Sequence, residues 1–298
     1  MSLVKIPKKF DVIIDPGENQ KTRFSAAQDF APKANFRIID FENNTTWGYV
    51  TIDNTQRGPG LGGIRMVNDL NLNEVSRLAR VMTLKNSSAC LPYGGAKAGI
   101  ILKHPELAER SPCREELMEK FSDCLFELTD YAPAPDMGTD EWDIQIIHNN
   151  HSRILGTEKH SRGGAGRPVA QGGIPIDDWE LTAHGLVSVI KALESFENTL
   201  ALSKAKFIVQ GFGNVGAPTA LKLHETGAKL VGASDIHTAL WNPKGLDVQA
   251  LMKVRNKPGG LSNYPFEVKR RFSNDRLDWL LEAPCDILIP SAVLSPVK

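Results

Sequence analysis

The chain has no surplus of charge: 35 Lys and Arg balance 35 Asp and Glu over 298 residues. A surface that follows nucleic-acid phosphates or an anionic membrane needs a basic excess, so neither partner is expected. Cysteine is scarce too. Cys90, Cys113, Cys124 and Cys285 form no C-x-x-C pair and have no histidine cluster beside them, so no metal site is expected. They read as reduced, mostly buried thiols of an intracellular protein. Long apolar runs are also missing. No stretch approaches the roughly 20 apolar residues that cross a bilayer, and Met1–Phe10 carries lysines without the apolar segment of a signal peptide. The expected location is cytoplasmic. What remains is an ordinary globular composition, 41% hydrophobic and 23% charged. The length suits two domains of about 100–200 residues each.

Residues 1–35 are polar, with Pro16, Gly17 and Pro32, and read as an irregular arm. Apolar, β-prone runs at Phe36–Phe41 and Trp47–Asp53 flank Glu42-Asn43-Asn44 and predict a hairpin. Asn71 to Ala89 predicts a helix: Asn71 and Glu74 have capping-box spacing, and Leu72, Val75, Leu78, Ala79 and Met82 recur every three or four residues. A short strand at Ala98–Leu102 follows a glycine-rich turn, and Glu115 to Leu128 predicts a second amphipathic helix. Between Ser161 and Gly173 the five glycines suit a flexible interdomain stretch. Beyond it the pattern alternates: helix Trp179–Phe196, strand Phe207–Gln210, a helix, strand Leu230–Ala233, and a further helix and strand ending at Cys285–Pro290. Such alternation predicts a parallel, doubly wound sheet.

Gly211-Phe212-Gly213-Asn214-Val215-Gly216 is a G-x-G-x-x-G motif set between a strand and a helix. Gly211 permits the tight turn, Gly213 lets the backbone approach a pyrophosphate, and Gly216 allows close helix–strand packing. The phosphates of a dinucleotide then lie at a helix N-terminus, near the backbone of Asn214 and Val215. Asp235 ends the next strand, 24 residues after Gly211, where an acid hydrogen-bonds ribose hydroxyls. Its carboxylate would repel a 2′-phosphate, which favours NAD. His237 close by keeps NADP open.

Three further segments carry candidate chemistry. Lys85 ends the first helix. Lys97 lies among small residues in Pro92-Tyr93-Gly94-Gly95-Ala96-Lys97-Ala98-Gly99. Asp136 lies in an apolar loop stiffened by the prolines of Ala132-Pro133-Ala134-Pro135. Each has a plain alternative. Lys85 reads equally as a solvated cation at a helix C-terminus, and Asp136 as the cap of a helix starting near Thr139. Glycines around Lys97 give a ligand room to approach. Spacing alone does not bring the three together.

The motifs in their order resemble the glutamate/leucine/phenylalanine/valine dehydrogenase family. They are G-P-x-L-G-G-x-R-M at Gly58–Met66, M-T-x-K-N at Met82–Asn86, P-Y-G-G-A-K at Pro92–Lys97, P-A-P-D-M-G at Pro133–Gly138, G-F-G-N-V-G at Gly211–Gly216 and D-I-L-I-P at Asp286–Pro290. The resemblance implies an α/β protein of two domains. Residues 1–162 would form an α/β domain for substrate binding and oligomerisation. Residues 163–298 would form a Rossmann-like, doubly wound dinucleotide-binding domain, incomplete at its C-terminus. It implies NAD(P)-dependent oxidative deamination of an L-amino acid to a 2-oxo acid and ammonia. By position, Lys85 resembles the lysine on the substrate α-carboxylate, Lys97 the catalytic lysine, Asp136 the acid/base for the amino group, and Thr182 the threonine near the nicotinamide. It also implies a homo-oligomer, possibly a hexamer.

Glutamate-specific relatives resembling this chain carry a lysine just before the G-G-x-R segment, where Leu61 precedes Gly62 here. Ala134 is small and apolar. An apolar pocket does not offset the desolvation of an unpaired carboxylate, so Leu61, Gly62 and Ala134 predict an apolar side chain of the leucine, valine or phenylalanine type. Glutamate is the alternative, with Arg65 as a rescuing cation. The family pattern continues well past the D-I-L-I-P strand, whereas this sequence stops at Lys298; a fragment and a shortened paralogue are both open. Residues 163–173 also depart from the family's spacing. A catalytically impaired nucleotide-binding paralogue, serving as subunit or regulator, is therefore a further alternative.

Overall fold

The computed structural model describes residues 4–15, 31–157, 165–176, 178–196 and 200–292. Two compact units emerge, Met1–Pro175 and Ile176–Lys298. The domain boundary expected at 162/163 lies outside the described residues. So do residues 16–30 of the expected arm, residues 161–164 of the expected linker, and Asp177.

The first unit is built on a six-stranded sheet. In chain order its strands are β1 (Phe10–Ile14), β2 (Ala34–Asp40), β3 (Thr46–Asn54), β4 (Gly60–Val67), β5 (Gly94–Ile101) and β6 (Tyr131–Pro135). Their spatial order is β1-β2-β3-β5-β4-β6. The β1–β2, β2–β3 and β3–β5 pairs are antiparallel, and β4 runs parallel to both β5 and β6. The arm thus contains a strand, β1, whose Phe10 packs against Trp47. The expected hairpin is present as β2 and β3.

Two differences from the sequence reading matter for function. The glycine-rich segment before Ala98 is part of strand β5, not a turn, because its missing side chains let other backbone come close. A Cβ on Gly95 would strike the backbone of Thr83 in helix α1 (Leu72–Ser88). The segment holding Pro133 and Pro135 is likewise a strand. β6 lies at the sheet edge, where a residue without an N–H is tolerated.

Side chains alternate along β5. Ala96, Ala98 and Ile100 join a core with Phe121, Leu117 and Leu125 of α2 (Pro112–Glu127) and Ile144 and Ile147 of α3 (Glu141–Leu155). Each large aliphatic or aromatic group buried there contributes about 1.5–3 kcal/mol. Gly95, Lys97 and Gly99 alternate with them and belong to the other face, where α1 packs. Asp140, not Asp136, caps α3: its side chain accepts from Trp142 and Asp143 N–H, and Asp143 closes the capping box. That leaves Asp136 available for other work.

In the second unit, β7 (Lys206–Gln210) lies parallel to β8 (Lys229–Ser234) on one side and to β11 (Ile287–Pro290) on the other. Strands β9 (Thr238–Trp241) and β10 (Arg270–Ser273) continue the sheet in antiparallel fashion beyond β8. The parallel sheet expected here is therefore realised at β8-β7-β11 and finished by an antiparallel edge. Helices α4 (Leu181–Phe196), α5 (Gly216–Glu225) and α6 (Val248–Val254) contribute to the core that includes Phe207, Val209 and Leu230. Ile208 and Val231 pack on the other face with Leu280 and Ala283. Layers on both faces make this a doubly wound α/β unit.

Among the described residues no helix is long and apolar enough to cross a membrane. All four cysteines are free, and only Cys124 is buried; Cys90 is exposed and the other two are partly covered, against the expectation of mostly buried thiols. Burial pushes the Cys124 thiol up to about 12, with Glu127 and Asp123 adding to the shift.

Candidate active site

Lys97 projects from β5, and Asp136 stands just past the end of β6. The two strands are separated by β4, so their backbones lie about 10 Å apart. The long lysine side chain crosses that gap. Its Nζ reaches Asp136 Oδ2 at 2.7 Å. The crossing is open because the residue beneath it on β4 is Gly63. A Cβ there would stand 2.7 Å from the Asp136 Cβ, 2.7 Å from the Pro135 carbonyl and 3.1 Å from Lys97 Nζ. Gly63→Ala should therefore displace the ion pair and lower turnover by about tenfold to a hundredfold while the fold persists. Steady-state kinetics beside a thermal melt reads this, and unchanged kcat would refute it.

Asp136 Oδ2 accepts a second charged donor, Arg65 Nε at 2.9 Å. Arg65 is in turn held by Glu74, with Nη1 to Oε1 at 2.5 Å. Glu74 is the residue expected to complete a capping box with Asn71. Only half of that box forms: Asn71 accepts from the Glu74 N–H, while the Glu74 carboxylate is bonded to the guanidinium. Thr139 Oγ1 accepts from the Asp136 N–H and donates to the Ile64 carbonyl, which fixes the loop behind the carboxylate.

Burial makes Lys97 harder to protonate than an ordinary lysine. Asp136 opposes that shift, and the positive charges of Arg65 and Lys85 reinforce it. Burial alone would raise the Asp136 carboxyl; Lys97 and Arg65 outweigh it and hold the group below the usual carboxylate range. The site thus contains a lysine biased toward neutrality beside a carboxylate biased toward ionisation.

Lys85 is exposed in the last turn of α1. Its neighbours in the M-T-x-K-N motif pin that turn to the sheet. Thr83 Oγ1 donates to Asp53 Oδ2 at 2.5 Å. Buried Asn86 donates to the Gly94 carbonyl at 2.6 Å and the Leu61 carbonyl at 3.2 Å. Leu61 and Ala134 are partly covered on the adjacent strands β4 and β6. The Gly62 carbonyl accepts from Tyr131 Oη at 2.9 Å, and a Cβ on Gly62 would collide with the Ala96 carbonyl. Lys97 and Asp136 are therefore brought into direct contact, and Lys85 lies within electrostatic reach of Lys97. Arg65, Gly63 and Glu74 belong to the same cluster although the sequence reading gave them no catalytic part. Asp136 and Arg65 are 71 residues apart, too far for spacing to suggest the pair.

The glycine turn of the second unit forms a separate feature. Gly211 has φ +88°, and a Cβ there would come within 2.7 Å of the Ala292 nitrogen. A Cβ on Gly216 would meet the Gly211 carbonyl and Val209 Cγ1. Around a Cβ on Gly213 there is nothing within 4 Å. Two of the glycines are thus demanded by the protein's own packing, and the third borders open space. Exposed Asn214 and partly covered Val215 lead into α5, and no side chain caps that helix. The Ala217 N–H is taken by the Gly213 carbonyl and Pro218 has none, so the N–H groups of Asn214, Val215 and Gly216, for which no backbone partner is found among the described residues, are the ones open to an anion at this helix N-terminus. The turn fits a dinucleotide. Thr182 is exposed in the first turn of α4. Asp235 follows β8, and its oxygens accept from the N–H groups of His237 and Thr238 at 2.8 Å and of Leu261 at 2.7 Å.

Comparison with known proteins places these features in a wider setting. A family profile described as Glutamate/Leucine/Phenylalanine/Valine dehydrogenase matches residues 172–298. The dimerisation-domain profile of the same family matches residues 34–153. The NADP-specific glutamate dehydrogenase of Saccharolobus shibatae is 33% identical over 265 residues, 88% of this chain and 60% of that protein. The catabolic NAD-specific glutamate dehydrogenase of Bacillus subtilis is 34% identical over 253 residues, 84% and 57% of the two chains. This chain thus spans about three-fifths of the length of those relatives. Among solved structures, the hetero-hexameric glutamate dehydrogenase of Thermus thermophilus superposes with a TM-score of 0.67 at 26% identity, covering 96% of this chain and 62% of that one. The Plasmodium falciparum glutamate dehydrogenase shares the fold, with a TM-score of 0.67 at 22% identity over 96% of this chain and 57% of that one.

Proposed function

The chain belongs to the glutamate/leucine/phenylalanine/valine dehydrogenase family, and from that premise we propose that it takes part in NAD(P)-dependent oxidative deamination of an L-amino acid. The observation that carries the proposal is the Lys97–Asp136 pair reaching over Gly63. Gly211, Gly213, Asn214, Val215 and Gly216 would hold the dinucleotide, with Thr182 as a further candidate contact, and the bound cofactor would supply the hydride acceptor. The chain supplies the rest. Lys85 offers a cation to the substrate α-carboxylate. Neutral Lys97 takes a proton from the water that adds to the iminium carbon. Asp136 exchanges protons with the departing amine. Both cations bind its Oδ2, and no hydrogen bond to Oδ1 is found among the described residues.

Glutamate is the substrate that the relatives' names support. An apolar amino acid is the second reading, favoured by Leu61 in the position where the glutamate-type pattern has lysine. It is the weaker of the two, because both relatives quoted act on glutamate by name. A homo-oligomer, possibly a hexamer, is proposed for assembly. A non-catalytic subunit is the third reading; the Thermus thermophilus relative is a hetero-hexamer.

The test is reduced-nicotinamide absorbance with NAD and then NADP, across glutamate, leucine, valine, phenylalanine and tryptophan. Turnover with glutamate supports the first reading. Turnover confined to the apolar panel transfers the assignment to Leu61. Cofactor binding without turnover of any substrate would overturn the enzymatic proposal in favour of the subunit role.

A further inference from the structure

Arg255 caps the C-terminus of α6. Its side chain extends to the glycine turn, where Nη1 donates to the Gly213 carbonyl at 3.3 Å. That carbonyl is its only side-chain partner found among the described residues. A guanidinium has five N–H donors, so most of those on Arg255 are uncommitted. Lys253 and Lys257, on either side in sequence, are exposed and add positive charge to the same segment.

Asp235 is the opposite case. It accepts three backbone N–H groups, from His237, Thr238 and Leu261. A Cβ on Gly260 would strike its Oδ2. The acid therefore ties the β8–β9 turn to the segment around Leu261, and most of its acceptor capacity is spent there. The charged side chain bonded directly to the glycine turn is a cation.

We propose that Arg255 is a diphosphate-binding residue, its guanidinium closing on the phosphates of a dinucleotide seated on the Gly211–Gly216 turn. Asp235 serves as a brace for the adjoining loop. The inference rests on the nucleotide-binding reading above and adds to it the residue that supplies the positive charge. The second glycine of such a turn is where backbone approaches the pyrophosphate, and Arg255 is anchored at that glycine. A forked, planar cation suits the two neighbouring phosphoryl oxygens better than a lysine does.

Calorimetric titration of the full chain with NAD, ADP, adenosine and NADP tests this without requiring turnover. Arg255→Gln should weaken NAD and ADP by about tenfold to a hundredfold, the range of a charge-assisted hydrogen bond. Adenosine, which has no phosphate, should bind both proteins alike. Arg255→Lys should recover only part of the loss, and Lys253→Ala should cost less than either. A thermal melt matching the parent shows that Arg255→Gln is folded. Equal losses for ADP and adenosine, or no loss for ADP, would overturn the assignment. A loss confined to NADP would move Arg255 to the 2′-phosphate and likewise overturn it. Failure of the parent itself to bind NAD, ADP and NADP would instead remove the nucleotide reading, and this inference with it.

Discussion

Replacing Lys97 with methionine is expected to lower kcat by about two to four orders of magnitude, the usual contribution of a positioned proton-transfer group. Affinity for the dinucleotide should stay at the parent value, because the glycine turn lies in the other unit. Methionine keeps the apolar stem that Lys97 buries in β5 and removes the nitrogen that meets Asp136. Arg65 still holds the carboxylate, so Asp136 keeps a counter-charge and the sheet should remain folded. Parent-like turnover in Lys97→Met would eliminate the lysine as the base.

The pH dependence follows from the same geometry. A lysine acts as a base only when neutral, so kcat/KM should climb as Lys97 loses its proton. Burial, chiefly, places that rise below the ordinary lysine range. Arg65 contributes a like charge that also favours the neutral form, so Arg65→Gln should move the limb to higher pH. Arg65→Gln also loosens Asp136, so the height of the profile should drop as its midpoint rises. A midpoint moving to lower pH would contradict this ordering of charges.

How much of this was legible beforehand depended on the range of the interaction. Local signals served well: the periodicity of Val75 and Ala79 marked α1, and the glycine spacing at 211, 213 and 216 marked a turn whose three members now have separate physical reasons. Candidate chemistry at Lys85, Lys97 and Asp136 was also visible, through motif order. The partners were not. Arg65 reaches Asp136 only because β4 lies beside β6 in parallel register, and nothing local to either residue announces that pairing. The prolines of β6 and glycines of β5 read as loop and turn. Each is tolerated or demanded by its strand's position in the sheet. Asp235 shows a further limit of local reading: the acid in the position expected for ribose also accepts backbone N–H groups from its own turn and from Leu261, 26 residues on.

The largest stability loss is expected at a residue with no candidate role in the sequence, Arg114. It lies near the start of α2, where a cation is disfavoured by the helix dipole, so a local reading would place it in solvent. Instead it is 4% exposed, and its partner Asp143 is fully buried. The guanidinium grips that carboxylate with a fork, Nε to Oδ1 at 2.9 Å and Nη2 to Oδ2 at 2.6 Å. Nη1 donates to the carbonyls of Leu107 and Ala108, and Nη2 also donates to that of Gly138. These five bonds match the five donors of the group. Arg114→Met would strand a buried carboxylate, a change that costs about 3–5 kcal/mol. Lysine cannot reproduce the fork, so Arg114→Lys should recover little. Pairing Arg114→Met with Asp143→Asn should cost less than Arg114→Met alone, because no unpaired charge is then left inside. Urea denaturation of the three variants reads these differences; a single-variant loss near zero would mean that Asp143 finds another partner. The bond to Gly138 links this scaffold to the active site. Gly138 lies two residues beyond Asp136, with φ +81° and no room for a side chain, since a Cβ there would strike the Met66 carbonyl. Releasing its carbonyl should loosen the loop that aims the Asp136 carboxylate. Even under conditions where Arg114→Met is folded, its kcat should therefore fall while dinucleotide affinity holds.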